Sequence, residues 1–216
     1  MRYKLALFDM DGTVLDTLQD LADATNAVMR MHGYPTHSIE AVRGFVGNGA
    51  RVLIEKAVPN GTDMQKIDTG LGDFKEYYGK HSADATKPYD GVPHMLRTLR
   101  AAGVRTAVVS NKPDFAVRML AERYFEGLFD MAIGDREGVR KKPAPDSVLE
   151  VMRTLGCTPA ESVYIGDSDV DVLTAKNAGT DGIFVDWGFR SAACLRQSGA
   201  EIIVSDPAEI AALILQ

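Results

Sequence analysis

The sequence is poor in cysteine, tryptophan and long apolar runs, and it carries no excess of positive charge. Its two cysteines, Cys157 and Cys194, stand far apart and outside any CxxC spacing. That excludes a thiolate zinc site and a disulfide framework, and buried free thiols are expected instead. The apolar run after Arg2 and Lys4 is broken by Asp9, too soon for a signal peptide or for the ~20 apolar residues of a membrane span. A net charge of -6 and a pI near 5.2 argue against a nucleic-acid backbone as partner, because phosphate-backbone binding needs a basic face. The expectation is a cytoplasmic protein, monomer or homodimer, with neither a nucleic-acid nor a membrane partner. What is present is ordinary globular material: 216 residues, 45% hydrophobic and 25% charged, enough to build a packed core. No internal repeat or low-complexity segment occurs.

Short apolar runs recur along the chain: YKLALF at 3–8, RTAVVS at 105–110, DMAIG at 130–134, SVYIG at 162–166, GIFVD at 182–186 and EIIVS at 201–205. Helical periodicity separates them at 92–102, 113–123, 144–155, 170–178 and 207–215. Such alternation predicts an α/β fold, a doubly wound, Rossmann-like parallel sheet wrapped by helices. Residues 15–86 break the alternation, with helical patterns at 18–31, 49–57 and 64–81 and no buried strand. They read as an inserted helical domain. The core is then 1–14 together with 87–216, joined to the insertion by hinges at 15–17 and 85–88.

Open α/β sheets place their sites beyond the carboxyl ends of the strands. Four motifs fall there. In DMDGT (9–13), two carboxylates two residues apart at a strand end can share one crevice, one attacking phosphorus and one moving a proton, with Gly12 allowing the tight turn. An Asp-Gly turn explains the same residues without chemistry. In VVSNK (108–112), a hydroxyl at a strand end can bond a phosphate oxygen or simply cap the next helix. In KKPAPD (141–146), a fixed ammonium can offset phosphoryl charge or be a solvated surface lysine. GDSDVD (166–171) places three aspartates at a strand-to-helix junction, more than an N-cap requires, and carboxylates suit Mg²⁺. The order of nucleophile, acid/base, phosphate donor, cation and metal carboxylate after successive strands is specific.

In this order the motifs resemble the haloacid dehalogenase superfamily, whose phosphatases carry DxDGT, a hydroxyl motif, a lysine and GDxxxD. The resemblance implies Asp9 as nucleophile, Asp11 as general acid/base and Lys142 as charge neutraliser. Ser110 and Asn111, with Gly12 and Thr13, would contact the phosphate. Asp9, the backbone carbonyl of Asp11, and Asp167 would hold Mg²⁺, with Asp171 in support. Asp11 favours phosphoryl transfer over halide displacement, since true dehalogenases lack that carboxylate. The insertion resembles the superfamily's C1 cap. Within the superfamily, DMDGTVLDT, GFVGNGARVLIEKA, YDGVPHMLRTLRAAGV and VVSNKP are most similar to the phosphoglycolate phosphatases. The implied reaction is hydrolysis of a small phosphorylated metabolite, 2-phosphoglycolate first, through an aspartyl-phosphate.

In RGFVGNGAR (43–51), Arg43, Gly47 and Asn48 are expected to line the closed site, although helix-end capping by Gly-Asn-Gly accounts for the loop equally well. The four histidines are scattered without a partner pattern and are expected to be surface or structural. A phosphomutase, a pyrophosphatase and a nucleotide 5'-monophosphatase remain open within the superfamily. A phosphoacceptor signalling domain is the non-enzymatic alternative, against which the insertion and the nucleophile after the first strand both count.

Overall fold

The computed structural model describes residues 2–216. In chain order, β1 (Leu5–Phe8) leads to a short β2 (Leu15–Asp16) and then to four helices, α1 (Leu18–Met31), α2 (Ile39–Phe45), α3 (Ala50–Ala57) and α4 (Met64–His81). A second short strand, β3 (Lys87–Pro88), returns the chain. Then come α5 (Val92–Ala101), β4 (Arg105–Pro113), α6 (Asp114–Phe125), β5 (Met131–Asp135), α7 (Asp146–Thr154) and β6 (Ser162–Gly166). The chain closes with α8 (Asp169–Ala178), β7 (Asp181–Val185), α9 (Ala192–Gln197), β8 (Ile203–Val204) and α10 (Pro207–Leu215).

The main sheet runs in the order β5-β4-β1-β6-β7-β8, parallel throughout, with β1 inside. Period-two alternation sends its side chains to two cores. Ala6, Phe8, Val108, Ile165 and Val185 pack on α5, α6 and α10. Leu5, Leu7, Val109, Tyr164 and Phe184 pack on α7, α8 and α9. Burial on both faces explains why these strands read as apolar runs rather than as alternating ones.

Helices α1 to α4 bury a third cluster of their own, built from residues such as Val28, Leu53, Ile54, Phe74 and Tyr78, and joined by Ala116 and Phe189 of the sheet region. The insertion connects through β2 and β3, which pair antiparallel, Leu15 with Pro88 and Asp16 with Lys87. The buried Asp20 locks this junction: it accepts from the backbone N–H groups of Ala85 and Thr86, both at 2.9 Å, and from the Thr86 hydroxyl at 2.6 Å.

The structure departs from the sequence reading in four places. Helices α2 and α9 were not expected, because seven and six residues are too few to display a period, although Ser38 and Ser191 cap them in the usual way. The two hinges pair with each other as a ribbon. Strand β4 runs on to Pro113 instead of stopping at Ser110, and its register with β5 becomes irregular between Val109 and Pro113. The cysteines are free but half-buried rather than buried.

Candidate active site

Strands β1, β4 and β6 deliver the motif residues to one end of the sheet, where the helical insertion faces them. Asp9 follows β1, and its Oδ1 accepts from the Met10 N–H at 2.7 Å and lies 3.0 Å from the Lys142 ammonium. Among the described residues Asp9 Oδ2 has no hydrogen-bond partner, which leaves that oxygen open for chemistry. Asp167 follows β6; its carboxylate accepts from the Thr13 hydroxyl at 3.2 Å and the Phe189 N–H at 2.6 Å. Gly12, at φ 83°, brings the first loop against this aspartate, and a Cβ there would overlap the Asp167 carboxylate.

Asp171 serves two purposes. Its Oδ2 accepts from the Ser168 hydroxyl at 2.6 Å and from the Ser168 N–H at 3.1 Å, forming the reciprocal capping box that starts α8. Its Oδ1 accepts from Lys142 at 2.8 Å and from the Tyr164 hydroxyl at 3.1 Å. The capping explanation of GDSDVD is therefore correct for Ser168, while Asp171 also holds the lysine. Lys142 completes its third bond with the Tyr164 hydroxyl at 2.9 Å. Asn111 fixes the lysine backbone, accepting from its N–H at 2.9 Å and donating to its carbonyl at 3.0 Å. The same amide nitrogen donates to the Gly47 carbonyl of the insertion at 3.1 Å. The Asn111 side chain is thus engaged with backbone, and its visible work is to position Lys142 and meet the insertion.

Ligand atoms of Asp9, Asp167 and Asp171 lie within 4.8 Å of one another, all buried. Burial, opposed by Lys142 and reinforced by Asp171 and Asp11, pushes the Asp9 carboxyl up to about 6. Burial and the neighbouring Asp171 and Asp9 push Asp167 well above the usual carboxylate range. Burial opposes the charge on Lys142, but Asp171 and Asp9 outweigh it and hold the ammonium firmly protonated. Three buried carboxylates against one ammonium leave negative charge in excess. That donor set, oxygen only, fits a hard divalent cation. Asp171 takes at least two donors on each oxygen, whereas Asp167 takes one on each and Asp9 Oδ2 takes none among the described residues, so Asp9 and Asp167 have more room than Asp171 to ligate directly.

Asp11 is held differently. Its Oδ1 accepts from the Thr17 hydroxyl at 2.7 Å and from the Lys112 ammonium at 2.7 Å. Lys112 also donates to the Tyr78 hydroxyl of α4 at 2.7 Å. Burial lowers the affinity of Lys112 for its proton, but Asp11 and Tyr78 outweigh it and the net shift is upward. The sequence reading gave Lys112, Tyr78, Tyr164 and Thr17 no role. Only Lys112 left a signal, standing beside Ser110 and Asn111; Thr17 lies outside the motif that holds Asp11, Tyr164 is 22 residues from Lys142 and Tyr78 is 34 residues from Lys112, so nothing local in the sequence joins them to their partners.

A cavity of about 40 Å³ joins the two halves of the site. Asp9, Asp11, Ser110 and Asp167 line the sheet end, while Leu21, Leu53, Phe74 and Tyr78 line the insertion side. Gly47 lines it too, whereas Arg43 and Asn48 are not among the lining residues. The Arg43 guanidinium lies 3.4 Å from Glu40, and the backbone of its segment is gripped from the sheet side. Arg190, beyond β7, donates from Nη1 to the Arg43 carbonyl at 3.0 Å and from Nη2 to the Val46 carbonyl at 2.8 Å. None of the four histidines lines the cavity.

A strand-end pair of aspartates, a buried lysine and a second acidic loop on a doubly wound sheet define a hydrolase class, and the chain belongs to it: residues 6–185 match the haloacid dehalogenase-like hydrolase family. Its relatives narrow the comparison. The chain is 35% identical over 209 residues to a phosphoglycolate phosphatase of Pseudomonas putida KT2440, covering 94% of this chain and 76% of that protein. It is 34% identical over 205 residues to the phosphoglycolate phosphatase of Psychrobacter arcticus, covering 91% and 89%. A crystal structure from Lactobacillus delbrueckii subsp. bulgaricus, provisionally assigned as a phosphoglycolate phosphatase, superposes with a TM-score of 0.94 at 38% identity over 99% of both chains. No helix among the described residues is long and apolar enough to cross a membrane.

Proposed function

We propose that the chain is a Mg²⁺-dependent phosphatase that hydrolyses a small phosphomonoester, 2-phosphoglycolate first, through an aspartyl-phosphate on Asp9. The observation that carries this reading is the Asp9 carboxylate, which lines the cavity and is gripped through Oδ1 by Lys142 and the Met10 N–H, with no hydrogen-bond partner on Oδ2 among the described residues. The Asp9 oxygen attacks phosphorus as the phosphorus–ester oxygen bond breaks, and Asp11 gives its proton to the leaving alkoxide. Water then attacks the phosphorus of the acyl phosphate, Asp11 takes its proton, and orthophosphate leaves with Asp9 restored. Ser110 and Thr13 border the phosphate position, and Lys142 offsets charge on the nucleophile and phosphoryl oxygens. When bound, Mg²⁺ supplies further positive charge against those oxygens; Asp9, Asp167 and the Asp11 backbone carbonyl would hold it, with Asp171 behind.

We assign residues 1–14 and 87–216 to the catalytic core and 15–86 to a cap that closes over it. The cavity supports a small substrate, being far below the roughly 300–1,000 Å³ of drug-sized ligand sites. Hexose phosphates and nucleotides would need the cap displaced. Phosphate release, measured with Mg²⁺ across 2-phosphoglycolate, a hexose 1-phosphate, a nucleoside 5'-monophosphate and pyrophosphate, tests the reading. The expected result is the highest kcat/KM on 2-phosphoglycolate; a preference for any of the others would replace the substrate, and no release at all would remove the phosphatase.

A further inference from the structure

Two buried lysines serve this site, and they are used differently. A lysine ammonium carries three donors. Lys142 spends all three, on Asp9, Asp171 and Tyr164. Lys112 spends two, on Asp11 Oδ1 and the Tyr78 hydroxyl, with the Tyr78 ring centred 4.5 Å from its nitrogen. Among the described residues it has no third acceptor, yet the residue is buried and lines the cavity. The other cation in the lining, Arg190, turns both terminal nitrogens toward the carbonyls of Arg43 and Val46. Around Lys112 the insertion side of the wall is apolar, formed by Leu21, Leu53 and Phe74. An unspent N–H on a buried cation in such a wall is costly unless a ligand satisfies it.

We propose that Lys112 determines specificity at the end of the substrate away from phosphorus: its third N–H donates to a carboxylate, so the site selects phosphomonoesters that carry one close to the ester oxygen. The inference rests on the phosphatase reading above and adds the group by which the substrate is recognised. One ammonium shared by two carboxylates has a precedent in the same chain, since Lys142 sits between Asp9 and Asp171. Tyr78 comes from α4 and hydrogen-bonds the same ammonium, so this subsite is complete only with the insertion docked on the sheet.

The test compares 2-phosphoglycolate with ethyl phosphate, in which a methyl group replaces the carboxylate. Lys112 also touches Asp11, so Lys112→Met should slow both substrates, and the informative quantity is the ratio of their kcat/KM values within each variant. That ratio is independent of the fraction of protein that folds. The wild type should favour 2-phosphoglycolate, and Lys112→Met should reduce the ratio about 10- to 100-fold, the range for a hydrogen bond to a charged group. Lys112→Arg should restore part of it. If turnover by Lys112→Met is too slow to follow, the same ratio is read from binding of the two compounds to Asp9→Asn and to Asp9→Asn/Lys112→Met. An unchanged ratio, with both substrates falling equally, would overturn the proposal and leave Lys112 as a partner of Asp11 alone. A wild type that hydrolyses both esters equally well would also overturn it while leaving the phosphatase reading intact. No phosphate release from any ester by the wild type would remove the phosphatase reading and this inference with it.

Discussion

Replacing Asp9 with asparagine exchanges one oxygen for nitrogen and leaves the shape of the side chain almost unchanged, so its effects on stability and on turnover can be separated. The Asp9 carboxyl is pushed from 3.8 to about 6 by burial, despite Lys142. Between those values the folded chain holds a proton that the unfolded chain has released, so metal-free stability falls as pH rises through that window. At about 1.4 kcal/mol per pH unit, a gap of roughly two units costs about 3 kcal/mol at pH 7. Asp9→Asn carries no such charge. In chelator at pH 7 it should therefore be more stable than the wild type by about 3 kcal/mol, or ~6–12 °C in Tm for a chain of this size. The gain should shrink toward zero below pH 4. Mg²⁺ should stabilise the wild type, by about 2.7 kcal/mol at 100 times Kd, and should do so much less for the variant. Turnover by the variant should vanish. Urea melts from pH 4 to 8, with chelator and with Mg²⁺, supply the measurement. A variant no more stable than the wild type at pH 7 in chelator, or a gain that does not shrink with falling pH, would refute the argument that Asp9 is a buried charge kept for function at the expense of stability.

Asp20→Ala leaves three donors at the junction of insertion and sheet without their acceptor, and should cost about 3 kcal/mol in urea melts while exposing the 82–88 segment to protease. Arg190→Ala removes the two hydrogen bonds that hold the α2 end against the sheet; it should raise KM more than it lowers kcat, and hydrogen exchange should quicken across 43–49. Tyr164→Phe strips one acceptor from Lys142 and should lower stability by about 1–3 kcal/mol, with kcat falling while KM holds.

The residues whose chemistry is local were legible in the sequence. Asp9, Asp11 and Asp167 stand within three residues of the end of an apolar strand and Asp171 in the first turn of the helix that follows, so the α/β alternation alone places them at the carboxyl end of the sheet. The insertion was legible as a break in that alternation. What could not be read depends on contacts between distant segments or on elements too short to show a period. Asp20 looks like any acidic residue in the first turn of a helix, and only folding brings Ala85 and Thr86 to it. Lys112 looks like a surface lysine until α4 delivers Tyr78 and the turn after β1 delivers Asp11. Arg190 lies outside every motif and meets the insertion across the cavity. Asn111 was legible as a site residue, but its grip on the Lys142 backbone was not.

The covalent step on Asp9 is tested most directly by quenching the enzyme during turnover, reducing acyl phosphate with borohydride and mapping the product by mass spectrometry. Reduction of an aspartyl-phosphate at this position yields homoserine in place of Asp9, and only in samples given both substrate and Mg²⁺. Steady phosphate release with Asp9 unmodified, or homoserine at Asp11 or Asp167 instead, would contradict the account.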